Sequence, residues 1–96
     1  MPPVRHHPEA EEDFCKALQW YHEQSPEAAR QFSDAVEAAL VKIAENPEAY
    51  AKMGNKFRFF TRHDFPYYLV YEVAETEIVV MAVAHGSRRK FWKHRK

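Results

Sequence analysis

The hydrophobic period changes once along this chain, and that change leaves few folds open to it. From Ala10 to Ile43 the apolar residues recur three or four apart; from Phe57 to His85 they alternate or run together. A period near 3.6 puts an apolar stripe on a helix, and a period of 2 puts an apolar face on a strand. Helices grouped ahead of strands, rather than alternating with them, predict an α+β domain. Ninety-six residues are enough for one core and too few for two, so residues 1–96 read as a single domain.

The helical half carries two start signals. Pro8 suits a first helical position, where its missing N–H is unpaired anyway. Glu9, Glu11, Glu12 and Asp13 follow, putting negative charge on the positive end of a helix. The stripe Ala10, Phe14, Ala17, Leu18, Tyr21 predicts a helix over 8–23. Ser25-Pro26-Glu27 starts the next: a capping hydroxyl, a first-turn proline and an acid. Its stripe is Ala29, Phe32, Val36, Leu40, Ile43, and Asn46-Pro47 ends it. Helices joined by one or two residues must fold back as a tight antiparallel hairpin.

Val4 to His7 reads as a short edge strand. Glu48 to Asn55 reads as a connector with Gly54-Asn55 as turn residues. Three strands follow: Phe57 to Arg62, Tyr67 to Val73 and Ile78 to His85, with Asp64-Phe65-Pro66 breaking the first from the second. The last is apolar on both faces, which predicts a covered interior strand. The expected order is β-α-α-β-β-β, a helical hairpin packed on an antiparallel sheet, with a basic, aromatic tail over 87–96.

Composition excludes several classes. Two glycines rule out collagen and a GxGxxG loop, and the single cysteine, Cys15, cannot close a disulfide within the chain. The longest apolar run, Ile78 to Ala84, is seven residues, against about 20 for a membrane span. No apolar signal-peptide core follows Met1. These features lead us to expect a soluble, cytoplasmic protein without a membrane partner. The net charge of zero hides a split: residues 1–50 hold four basic and ten acidic side chains, a net of −6, and residues 51–96 hold the reverse, +6. Such asymmetry points to an acidic or polyanionic partner for the second half, or to two oppositely charged faces with none.

Metal and thiol chemistry find little support. The histidines lack HxxxH or HExxH spacing, and no cysteine pair exists, so no metal or cofactor is expected. Cys15 lies mid-helix among acids, which disfavour a thiolate. A metal-free ribonuclease needs a base, an acid and cations around the phosphate. Arg58, Arg62, Arg88 and Lys90 offer the cations; His85, His63, His94 and Tyr71 offer the acid and base. Arg58 and Arg62 alternate onto one strand face, which equally describes a solvated sheet face. His85 equally describes a strand-end histidine bonded to backbone. The tail interleaves Arg88, Arg89, Lys90, Lys93 and Arg95 with Phe91 and Trp92, a pattern that suits single strands or an acidic protein groove.

Five pieces form an ordered set. His7-Pro8-Glu9-Ala10-Glu11-Glu12-Asp13 leads a short strand into an acidic helix start. Trp20-Tyr21 is an aromatic pair near the end of the first helix, and Ile43-Ala44-Glu45-Asn46-Pro47 ends the second. Arg58 precedes Phe65-Pro66-Tyr67 and Val70-Tyr71. Ala82-Val83-Ala84-His85-Gly86-Ser87-Arg88 ends the last strand, with Trp92 and Arg95 beyond. Together, and nearly end to end, they resemble the ParE/RelE superfamily, the toxin halves of bacterial type II toxin–antitoxin pairs. The resemblance leans to the ParE side: the RelE-side endonucleases use a tail tyrosine, and no tyrosine follows Tyr71 here. The tail departs from the usual ParE pattern, with Arg89-Lys90 where Asp-Pro often follows the arginine.

What the resemblance implies is a RelE/ParE-like fold and a toxin that arrests growth by binding DNA gyrase. A cognate antitoxin would neutralise it, in a hetero-oligomer. The alternatives are a RelE-like endonuclease cutting mRNA on the ribosome, and a non-toxic relative that keeps only partner binding. The expected target surface is Arg58, His85, Arg88, Arg89, Trp92 and Arg95, with Arg58 brought near Arg88 by the strand meander. The ribonuclease reading uses Arg58, Arg62, His85, Arg88 and Lys90. The expected antitoxin surface is Phe14, Trp20, Tyr21, Phe60 and Phe65.

Overall fold

The computed structural model describes residues 3–62 and 65–85. β1 (Val4–His6) leads into α1 (Pro8–Gln24) and α2 (Pro26–Glu45). Then come β2 (Lys52–Met53), β3 (Phe57–Arg62), β4 (Phe65–Val73) and β5 (Ile78–His85). The α+β architecture is as expected: a helical hairpin lies on one five-stranded sheet, in the order β1-β5-β4-β3-β2.

Local chemistry sets the helix ends. His7 caps α1, its Nδ1 accepting from the Glu9 N–H at 3.1 Å, with Pro8 in the first turn and Glu9 and Glu11 at the positive end. Ser25 alone joins the helices. Its N–H donates to the Tyr21 carbonyl at 3.0 Å, closing α1, while its Oγ accepts from the Ala28 N–H at 3.0 Å, opening α2. One extended residue between two helices forces the chain back on itself, and Phe14, Tyr21 and Phe32 stack across the resulting seam.

The sheet differs from the sequence reading in three places. It is mixed rather than antiparallel, because β1 pairs parallel with β5 in the register Val4↔Ile78, Arg5↔Val79, His6↔Val80. A parallel pair needs a long crossover, and the whole hairpin and β2–β4 supply it; three residues carry too little pattern to declare a direction. The connector holds a strand: Lys52 and Met53 pair with Arg58 and Phe57 across a turn in which Gly54 takes φ +74°, a region open to glycine. Phe65 and Pro66 begin β4 instead of breaking the chain before it, as proline is tolerated at a strand start.

The core lies on both faces of the sheet. Beneath the hairpin, Phe32, Val36, Ala39 and Ile43 of α2 pack with Phe60, Leu69, Tyr71, Ile78 and Val83. On the other face Val70, Val79, Met81, Ala82 and Ala84 form a second buried cluster with Met53, Phe57, Phe59 and Tyr68 around it. β5 is thus an interior strand buried along both faces up to Ala84, as its apolar run predicts. Tyr71 pairs with Val80 and Val70 with Ala82, so Met81 is the extra residue of a bulge, and it joins Ala82 on the far face.

Candidate functional site

β5 outruns its neighbour. β1 stops at His6, opposite Val80, and the His7 N–H makes the last bond to the Val80 carbonyl at 2.8 Å before the chain turns into α1. Past that point the outer edge of β5 has no paired strand among the described residues. Asp13 of α1 meets it there: its Oδ2 accepts from the Val83 N–H at 3.2 Å. This contact ties the first helix to the last strand. The sequence showed Asp13 only as one of four helix-start acids, and nothing in its spacing announced a partner 70 residues away.

Between this edge and the hairpin lies a groove of about 390 Å³. Leu69, Val80 and Val83 line it from the sheet, Phe14 from α1, and Val36 and Leu40 from α2. Its polar liners are His6, Glu11, Cys15, Ser33 and Glu37. The lining is the sheet-facing stripe of each helix left partly uncovered, which explains why Phe14 and Leu40 are only half-buried. Glu11 and Glu37 are exposed, one on each helix, and neither carboxylate has a described ion pair or hydrogen bond. Four glutamates elsewhere hold ion pairs: Glu12 with Lys16, Glu27 with Arg30, Glu72 with Lys56 and Glu77 with Arg5.

The expected antitoxin residues separate. Trp20 stands 55 % exposed, edge-on to Tyr21. Phe14 and Tyr21 are half-buried and stack on Phe32, and Phe14 lines the groove. Phe60 is 3 % exposed and belongs to the core, so it offers a partner no surface. The side chain of Phe65 lies outside the described residues, as does that of Arg62.

The expected target residues do not all converge. Arg58 faces the hairpin side and is engaged by backbone: its Nη1 donates to the Tyr50 carbonyl at 2.8 Å and the Glu48 carbonyl at 3.2 Å. Beside it the Tyr71 hydroxyl donates to the Pro47 carbonyl, so both side chains strap the segment after α2 onto the sheet. Burial pushes the Tyr71 phenol up to about 12, against a smaller downward pull from Arg58. Arg58 pairs with Tyr71 and Tyr71 with Val80, which sets it five residues short of His85, about 15 Å along the strands. Arg58 and His85 therefore do not share one edge. His85 is exposed at the end of β5, its ring edge-on to Tyr67 at 5.2 Å. Arg88, Arg89, Lys90, Trp92 and Arg95, with His63 and His94, lie outside the described residues.

Among the described residues no three His, Cys, Asp or Glu side chains converge to hold a metal ion. No helix among them is long and apolar enough to cross a membrane.

The chain is similar to toxin ParE2 of Mycobacterium tuberculosis. The proteins of strain CDC 1551 / Oshkosh and of strain ATCC 25618 / H37Rv are each 29 % identical to it over 84 residues, which cover 86 % of this chain and 80 % of theirs. Residues 4–90 match the family described as the ParE toxin of the type II toxin–antitoxin system, parDE, and this chain belongs to that family.

Proposed function

We propose that this chain arrests growth by binding DNA gyrase and that a cognate antitoxin silences it by seating an apolar segment in the groove between hairpin and sheet. The ParE family match over residues 4–90 carries the reading. The commitment of Arg58 to two backbone carbonyls, about 15 Å from His85, takes it out of our target surface as it does out of a shared ribonuclease site. The target contacts in this reading are His85, at the end of β5, and Arg88, Arg89, Trp92 and Arg95, which follow it in the sequence.

The test pairs two assays. Expression of the chain is expected to stop growth, and the purified protein to inhibit supercoiling by gyrase. Arg88→Ala is expected to weaken target binding by about 1–3 kcal/mol, as for a charged hydrogen bond, and Trp92→Ala by more if the indole is an anchor. Both variants are expected to keep the parent's melting temperature. Ribosome-dependent mRNA cleavage with gyrase unaffected would overturn the gyrase reading, and folded variants as toxic as the parent would remove the tail from the target surface.

A further inference from the structure

We infer that the groove chooses its occupant by charge: it takes an apolar protein segment flanked by lysine or arginine, and Glu11 and Glu37 read that cation. This rests on the groove being the antitoxin's seat, as proposed above. Glu11 comes from α1 and Glu37 from α2, both lining a cavity whose other walls are chiefly apolar. Neither carboxylate has a described partner, so each is open to a cation from outside. A segment seated on Phe14, Val36 and Leu40 removes water from both carboxylates. An apolar or acidic flank leaves that loss uncompensated, whereas a guanidinium or ammonium offsets it. Among the described residues His6 is the one groove-lining side chain able to carry positive charge, and it sits on β1, not on the helices that bear the two glutamates. Residues 1–50, which supply both helices, carry a net −6, the same sign as the two carboxylates.

The test uses two labelled synthetic peptides with identical apolar residues at helical spacing, one flanked by arginines and one by glutamates, titrated by fluorescence anisotropy against the full chain. The arginine peptide is expected to bind about five- to ten-fold tighter at low salt, with the gap narrowing toward about 0.5 M salt. In the Glu11→Gln/Glu37→Gln variant the gap closes while the glutamate peptide binds no worse. Equal affinity for the parent, or a gap that survives in that variant, overturns the inference. Ser33→Trp, which fills the groove, separates this from failure of the groove itself. If Ser33→Trp abolishes binding of both peptides but the parent shows no charge preference, the charge inference alone falls. If neither peptide binds the parent, or both bind Ser33→Trp undiminished, groove and inference fall together. Sedimentation that finds the chain dimerising, with dimers lost in the double glutamine variant, would make a second copy the occupant and overturn the choice of a separate partner.

Discussion

A phenol with no exposure to water holds the segment after α2. Tyr71 is fully buried, and its hydroxyl donates to the Pro47 carbonyl. Its pKa of about 12 in the folded chain exceeds the ordinary value of 10, chiefly through burial. Below pH 10 the phenol is protonated in both states and folding is unaffected. Between 10 and 12 the unfolded chain releases the proton and the folded chain keeps it, so stability falls as pH rises, by about 1.4 kcal/mol per unit. Urea midpoints from pH 9 to 11.5 are expected to drop along that slope, and Tyr71→Phe to remove most of it. Burial also raises Tyr21, which leaves a smaller residual slope in the variant. At neutral pH the same variant is expected to lose about 1–2 kcal/mol, because the Pro47 carbonyl loses its donor. A parent and variant with parallel midpoint curves would refute this. Arg58 illustrates how far a side chain can be read before folding. Alternation put it on the face that Phe60 shares, and that is where it lies; its acceptors are carbonyls eight and ten residues upstream, which side-chain identity does not encode.

Elements here depend on a few residues that serve two neighbours at once. Ser25 closes α1 with its backbone and opens α2 with its hydroxyl. Ser25→Ala keeps the first bond and loses the second, an expected cost of about 1 kcal/mol by chemical denaturation. An unchanged midpoint would mean that packing across the seam, not the cap, sets the start of α2. Asp13 serves α1 and β5. Asp13→Ala leaves the Val83 N–H without its acceptor and is expected to cost about 1–3 kcal/mol, with Asp13→Asn retaining part of that through its amide oxygen. Equal losses in the two variants would argue that the carboxylate acts by charge instead. Helices and long strands are legible because six or more residues repeat one period or because a serine and a proline mark a start. β2 and the direction of β1 are not, since two or three residues hold no period and their pairing is decided by residues far along the chain.

Taken whole, the molecule is an acidic hairpin over a sheet from the more basic half, with its groove at their junction. A partner that binds only the folded state stabilises it by about 2.7 kcal/mol at a hundred-fold excess over Kd. For a domain near 100 residues that shift is expected to raise the melting temperature by about 10–20 °C. A thermal scan with and without the antitoxin checks this, and Ser33→Trp is expected to lose the rise. The groove is only half legible in the sequence: Phe14 stands on the expected antitoxin surface, but Glu11, Ser33 and Glu37 line one groove only once two helices and a sheet meet. Phe60 looked like surface because an alternating strand does not say which face the hairpin will cover. The parallel pairing of β1 with β5 carries one further consequence, in time. The ribosome makes Ile78 74 residues after Val4. At about 5–20 residues per second, the first strand waits seconds for its partner. Until then the groove lacks Val80 and Val83, the core beneath the hairpin lacks Ile78 and Val83, and the edge that Asp13 caps has not been made. A chain that has not yet reached Ile78 therefore offers no such groove, and the partner we propose for it can bind only after β5 is made.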